Sequence, residues 1–316
     1  MNVKLPAKSA DIPLSDEGVV YHIAAAASNI ADKIILVGDP SRVPLAATYF
    51  DPGSLEFDQS HREIRTMTGK YRGQRVTVLS SGMGTDNMEI IMNELHILKE
   101  YDVQTSSWTN DKKEISLIRV GTCGSPQDVP IGTLAISRHA LGLDNTCQYY
   151  AANEAILGKD VARLKAIANQ TELGQVGVYA ASAHPDITRA LKDAAQKHAP
   201  NRPSIVGITA SASGFFACQG RVVGRFAEHM RFPDLVDILS TIELPIEGEP
   251  LPEKVINLEM ENSSLCYLAG LLGYKAGTIC AIISTRSGPQ RAFATPEQSK
   301  AALHDALTIG FEALTA

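Results

Sequence analysis

Long apolar runs, paired cysteines, an excess of positive charge and internal repeats are all missing from this chain of 316 residues. Each absence removes a class of protein. No apolar stretch approaches the roughly 20 residues that a membrane-spanning helix needs. The N-terminal MNVKLPAKSADIPLSDEG lacks the apolar core of a secretory signal. Five cysteines, Cys123, Cys147, Cys218, Cys266 and Cys280, are odd in number, widely spaced and free of any CxxC pair. That pattern argues against a zinc site or a disulfide framework, and for reduced thiols in a cytoplasmic protein. Lys and Arg number 29 against 35 Asp and Glu, a net charge of −6, so no general affinity for nucleic acid is expected. A GxGxxG fingerprint is absent after the first strand-like run, which sets aside a dinucleotide-binding dehydrogenase.

With 44% apolar and 20% charged residues, the chain can bury a sizeable core and is not disordered. Strand-like runs fall at 33–37, 63–68, 74–80, 115–120, 133–137, 204–210, 254–258 and 277–284. Several are continuously apolar, as strands become when both faces of a sheet are covered. Helical segments lie between them. Asp86-x-x-Glu89 predicts a capping box opening a helix with Met88, Ile91, Leu95 and Leu98 on one face, and Thr295-Pro296-Glu297-Gln298 predicts another for a closing helix. The alternation implies a single α/β domain over 1–316, with an N-terminal extension at 1–18. A polar surface insertion is expected at 101–114, and a proline-rich loop or flap at 228–253.

Three islands place an arginine beside glycines or aromatics, next to a strand-like run: IILVGDPSR at 34–42, SLIRVGTCGS at 116–125 and FFACQGR at 215–221. A guanidinium in such a place is costly unless an anion or a polar ligand meets it. After the first strand, Gly38 lets the backbone approach closely and Asp39-Pro40 suits a cap and first turn. Arg42 would add charge to a helix N-terminus that binds anions. Arg119 ends an apolar strand, where ligands of open α/β sheets sit, with Thr122 offering a hydroxyl; its plainer reading is a partner for a buried carboxylate. Ser60-His61-Arg62-Glu63 supplies another arginine, unremarkable alone. Phe215 can stack on a planar base, while Gln219 offers a donor and an acceptor and Arg221 donors only, matching the edge of a uracil-like ring. The alternative there is a core aromatic pair and a polar loop. Glu259-Met260-Glu261 joins a strand to a helix, suited to gripping vicinal ribose hydroxyls or merely to favouring the helix dipole. His22 stands alone, and no Ser-His-Asp or Cys-His scheme finds local support. Together the islands read as a crevice collecting phosphate and a nucleobase.

In this order the motifs resemble the nucleoside phosphorylase-I superfamily, over about Tyr21 to Arg286. The resemblance implies a central mixed, partly barrel-like β-sheet flanked by helices. It places Gly38, Arg42, Arg119 and Thr122 at phosphate, and Arg62 at the phosphate of a neighbouring subunit's site. His22 crosses the same dimer interface to the ribose 5′-hydroxyl; Glu259, Met260 and Glu261 hold the ribose; Phe215, Gln219 and Arg221 hold the base. Arg286, in Ile282-Ile283-Ser284-Thr285-Arg286, stands near where purine-specific relatives carry an aspartate, which points to the pyrimidine branch.

The implied activity is that of a pentosyltransferase: reversible phosphorolysis of uridine to uracil and ribose 1-phosphate, serving pyrimidine salvage. Arg221, Gln219, Arg119 and Glu261 carry the catalysis, phosphate is the nucleophile, and no organic cofactor is implied. A dimer is the smallest working unit, and related enzymes are often hexamers. Cys123 stands where relatives usually have Thr or Ser, and Ser284 where an apolar residue is common. Asn87 and Glu89 alter the GMG helix start near where bacterial relatives hold a monovalent cation, so potassium near Glu63 stays open. The rival readings are a purine or broad-specificity phosphorylase, a nucleosidase using water, and a non-catalytic nucleoside-binding protein of the same fold.

Overall fold

The computed structural model describes residues 10–109, 113–287 and 291–316. Strand β1 (Lys33–Val37) is followed by helix α1 (Arg42–Ala47), and then by β2 (Phe57–His61), β3 (Ile64–Tyr71), β4 (Gln74–Ser80) and helix α2 (Thr85–Glu100). A short hairpin of β5 (Tyr101–Asp102) and β6 (Ser107–Trp108) leads into the long strands β7 (Ser116–Ser125) and β8 (Leu134–Gly142). Helices α3 (Glu154–Leu157) and α4 (Lys159–Asn169), strand β9 (Tyr179–Ser182), helix α5 (Pro185–His198) and strand β10 (Ser204–Ser211) come next. The chain closes with α6 (Leu235–Ser240), β11 (Glu243–Leu244), β12 (Glu253–Glu259), α7 (Asn262–Leu272), β13 (Lys275–Thr285) and α8 (Pro296–Thr315).

Two sets of parallel strands run in opposite senses. Strands β4, β1, β7 and β13 form one set, and β8, β10 and β12 the other. They join twice: β13 meets β8 antiparallel at Ala281↔Leu134, and β12 meets β7 antiparallel at Leu258↔Gly124. The second junction closes β7, β13, β8, β10 and β12 into a barrel, and the sheet continues outward through β1, β4, β3 and β2. Because Gly124 and Leu258 lie near the carboxyl ends of their strands, the ends of the two sets converge there.

The apolar strands read as they do because both faces are covered. Along β1, Ile34 and Leu36 pack with Met88, Ile91 and Leu95 of α2 and Leu265 of α7. Ile35 and Val37 face the other way, against Leu191 of α5 and Leu307 and Phe311 of α8. No helix among the described residues is long and apolar enough to cross a membrane.

Several expectations change. The runs at 115–120 and 133–137 continue to Ser125 and Gly142, through small and polar residues whose strand pairing is decided by their neighbours. Helix α2 is not opened by a capping box: Gly84 is its N-cap, without a side-chain bond. Asp86 instead accepts from the Thr146 hydroxyl at 2.7 Å, and Glu89 accepts from Tyr150. The box at α8 does form, with Thr295 accepting from the Gln298 amide and Gln298 from the Thr295 amide. Asp39 is not a helix cap either; it accepts from the Ser41 amide at 2.8 Å, and Ser41 occupies the N-cap of α1.

The expected insertion at 101–114 is anchored by its hairpin, with the Trp108 ring stacked on His96 at 4.6 Å; positions 110–112 lie outside the described residues. The expected flap at 228–253 carries α6 and β11, which pairs with β12, and it buries Leu235, Leu239 and Leu244. Of the extension at 1–18, residues 1–9 lie outside the described residues, while Ile12 is buried in the core.

Candidate active site

A cavity of about 660 Å³ opens where the two sets of strands converge, within the range that small-molecule sites occupy. The first set contributes Gly38 and Arg42 beyond β1, Gly82 and Met83 beyond β4, Arg119, Thr122, Cys123 and Gly124 from β7, and Ile283 and Ser284 from β13. The second set contributes Phe215, Gln219 and Arg221 beyond β10, and Leu258, Glu259, Met260 and Glu261 from the end of β12. Three islands far apart in the chain thus line one space, because the barrel closure at Leu258↔Gly124 turns their strand ends toward each other.

Arg119 is the buried charge at its centre. Its Nη2 donates to Glu261, its Nη1 lies 3.0 Å from Glu259 Oε2, and the same Nη1 donates to Cys280 Sγ at 3.1 Å. Burial alone would lower the Arg119 pKa, but Glu261 and Glu259 together raise it above the ordinary arginine value. The plainer reading of Arg119, a partner for buried carboxylates, is therefore realised here. Its Nε is buried without a partner, and the residue still lines the cavity.

Arg42 presents the opposite case. No hydrogen bond or ion pair reaches its guanidinium among the described residues. Burial lowers its pKa, Asp39 opposes that, and the nearby charge of Arg119 lowers it further. Two guanidiniums that repel one another in a half-closed space, one of them uncommitted, make a place for an oxyanion.

The two glutamates divide their work. Glu259 accepts from the Ser211 hydroxyl and from the Glu261 and Asn262 amides at 3.0 Å, so its carboxylate ties β10 to the start of α7. Burial raises its pKa while Arg119 pulls it back down. Glu261 accepts from the Gly84 amide at 2.8 Å as well as from Arg119. Gly84 adopts φ 98° and Gly82 φ 71°, in the left-handed region that favours glycine, which lets that loop bring its amide to the carboxylate.

In the loop beyond β10, Arg221 Nη1 donates to Gln219 Oε1 at 2.7 Å and to the Phe215 carbonyl at 2.5 Å, and its guanidinium lies 3.7 Å from the Phe215 ring centroid. Gln219 is buried, while Phe215 is half-exposed toward the cavity. Burial and the charge of Arg286 push the Arg221 pKa down to about 10.

Three expected residues lie elsewhere. Arg286 does not line the cavity; it donates to the carbonyls of Gln219 and Gly220, each at 2.9 Å, and so pins the loop that carries Phe215, Gln219 and Arg221. His22 pairs with Glu94 at 2.7 Å, outside the cavity. Arg62 sits exposed at the β2–β3 turn with φ 53°, its guanidinium 5.9 Å from the Tyr21 ring, which in turn packs edge-on against His22 at 4.9 Å. His22, Arg62 and Tyr21 form a surface cluster apart from the site of their own chain. Glu63, next to Arg62, does line the cavity.

Sequence reasoning missed Asn87, Ile283, Met83 and Phe293 as lining residues. In the sequence Asn87 marks only a departure at a helix start, and Phe293 follows the last strand with no motif to mark it.

The model of the phosphorylase superfamily matches residues 32–315. A uridine phosphorylase of Thermococcus kodakarensis is 31% identical over 310 residues, covering 97% of this chain and 89% of that protein. A DeoD-type purine nucleoside phosphorylase of Oceanobacillus iheyensis is 40% identical, but over only 38% of this chain and 45% of its own. Among solved structures, a Trypanosoma brucei nucleoside phosphorylase described as showing uridine phosphorylase activity superposes with a TM-score of 0.89 at 38% identity, covering 96% of this chain and 99% of that one. A Phytophthora capsici uridine phosphorylase shares the fold, with a TM-score of 0.71 at 20% identity over 96% of this chain and 97% of its own. Family match, full-length likeness and a cavity built from the ends of both strand sets agree: the chain belongs to the phosphorylase superfamily.

Proposed function

We propose that this enzyme is a pentosyltransferase that catalyses the reversible phosphorolysis of uridine to uracil and ribose 1-phosphate, in pyrimidine salvage. The single observation that carries the reading is the uncommitted Arg42 guanidinium sharing a cavity with Arg119, Glu261 and the Gln219–Arg221 pair. Full-length likeness to the Thermococcus and Trypanosoma enzymes favours a pyrimidine substrate over a purine one.

Phosphate is the nucleophile, so no protein side chain need form a covalent intermediate. Arg42, with Gly38, Thr122 and the Arg119 side chain at the cavity wall, holds phosphate against C1′ of the ribose. The bond from C1′ to the base nitrogen breaks as the phosphate oxygen closes on C1′, leaving the sugar oxocarbenium-like and negative charge on the uracil ring. Arg221 lies against the Phe215 ring and orients Gln219, and the two receive that charge at the base edge; one such preorganised donor contributes about 3 kcal/mol. Glu261, fixed by Gly84 and Arg119, accepts from the ribose hydroxyls, and Met260 packs beneath the sugar. Glu259 acts mainly through these partners, as the anchor of Arg119 and of α7.

His22 and Arg62 complete a neighbouring subunit's site, reaching its ribose 5′-hydroxyl and its phosphate, which makes a dimer the working unit and a hexamer a natural extension of it. Their clustering with Tyr21 outside their own cavity supports this. A potassium ion near Glu63 would find that carboxylate lining the cavity. Among the described residues no group of three or more His, Cys, Asp or Glu surrounds such a position, and no step here is routed through a cation. A cytoplasmic setting fits five cysteines that are all free.

Release of base from uridine, thymidine, inosine and adenosine, with and without phosphate, tests the reading. Uracil release that requires phosphate is expected. Release in water alone would make the protein a nucleosidase, preference for inosine or adenosine would move it to the purine branch, and tight binding without turnover would make it a nucleoside-binding protein.

A further inference from the structure

Phe293 is a large apolar side chain, 67% exposed, that nevertheless lines the cavity. Its backbone is held rather than loose. Residues Ser284 and Phe293 form an antiparallel bridge, the Thr285 amide donates to the Ala292 carbonyl at 3.0 Å, and the Ala294 amide donates to the Ile283 carbonyl at 2.7 Å. One residue further on, Thr295 begins the capping box of α8. Ile283 and Ser284, the partners in this bridge, line the cavity themselves. The ring therefore projects from a fixed ladder onto the wall of the site.

Phe215 lines the same cavity, with the Arg221 guanidinium 3.7 Å from its ring centroid. No ring contact joins Phe293 to Phe215 among the described residues, although both line the same space. An exposed aromatic face in a cavity that also holds the Gln219–Arg221 pair suits a flat polar ring, and stacking on such a face is favourable beyond simple burial. Met83, also exposed, adds apolar surface at the same cavity.

We propose that Phe293 is a specificity-determining residue, an aromatic wall of the base subsite that packs against the flat face of the nucleobase. The proposal rests on the phosphorolysis reading above and extends it to a residue outside the motifs that revealed the family. Phe293 binds the base and leaves phosphate and ribose alone, so its effect is confined to one of the substrates.

The test runs the reaction in reverse, from free uracil and ribose 1-phosphate, with wild type, Phe293→Ala and Phe293→Tyr. Phe293→Ala is expected to raise the KM for uracil about tenfold while that for ribose 1-phosphate stays within about twofold, and Phe293→Tyr, which keeps the ring, to restore the wild-type value. Size-exclusion chromatography accompanies the kinetics. Equal changes in both KM values, an unchanged KM for uracil, or failure of Phe293→Tyr to restore it would overturn the proposal. So would a loss of activity that tracks a loss of oligomer, which would make the ring part of a subunit interface. Should wild type act only on a purine nucleoside, the uridine reading fails, and the same split is measured with that base. Should it act on no nucleoside, both proposals fail.

Discussion

Gly121 lies so close beneath the guanidinium of Arg119 that a methyl group added there would stand 2.6 Å from Nη1 and 2.9 Å from Cζ. Arg119 cannot easily yield, because both of its terminal nitrogens are committed to buried acceptors. Gly121→Ala should therefore disturb the phosphate end without touching any charged residue. We expect kcat/KM for phosphate to fall at least about a hundredfold, with a loss of about 1–3 kcal/mol in stability from overpacking. Steady-state kinetics at varied phosphate, together with denaturant unfolding, measure both; an unaltered KM for phosphate would place Arg119 outside the reaction.

Arg42 and Arg119 should respond differently to truncation. Removing Arg119 leaves Glu259 and Glu261 buried without their cation, and breaking a buried pair in this way costs about 3–5 kcal/mol. Arg42 has no such partner. Arg42→Ala should keep the stability of wild type within about 1 kcal/mol and lose affinity for phosphate, whereas Arg119→Ala should lose both. Thermal unfolding and phosphate saturation curves separate the two, and equal destabilisation would contradict the pairing described here.

Arg221 supplies a prediction in pH. Burial and Arg286 hold its pKa at about 10, below the ordinary arginine value, so it is fully charged at neutral pH and loses its proton as the pH rises through about 10. The charged form is the one that receives the developing negative charge, so activity is lost on the alkaline side and retained on the acid side. Arg221→Ala should cut kcat on uridine about 10²- to 10³-fold with little change in phosphate affinity. The ratio of wild-type to variant activity, in which the titration of the substrate cancels, should decline above about pH 10. A flat ratio would remove Arg221 from charge stabilisation.

Arg286 touches the loop and not the cavity. Arg286→Met should free the carbonyls of Gln219 and Gly220 and let the loop drift, raising the KM for nucleoside by about tenfold while the KM for phosphate stays unchanged. Arg286→Lys, which can satisfy one carbonyl, should recover part of the loss. Direct contact with the base would instead show as a large fall in kcat that lysine does not relieve.

How much of this was legible before the structure depends on the range of the interaction. The central strands were visible because burial of both faces writes a continuous apolar run, as at Ile34–Val37 and Ile279–Ile282. The closing helix was visible because its capping box is local, from Thr295 to Gln298. Strands β2 and β9 left no comparable trace: β2 alternates half-buried and exposed residues, and β9 is a run of only four. The box expected at Asp86 failed because Thr146, distant in the chain, competes for that carboxylate.

Residue identity alone determined that arginines, a Gln–Arg pair and two glutamates sit at strand ends, and so which chemistry the chain can perform. The tertiary structure decided who holds whom. Arg119 is given to Glu259 and Glu261, Arg42 reaches the cavity without a hydrogen bond or ion pair among the described residues, Arg286 is turned onto a backbone, and Phe293 is brought to the cavity from beyond the last strand. These outcomes follow from the closure of the barrel at Gly124 and Leu258, a contact between residues more than ~100 positions apart, which no local pattern of side chains can encode.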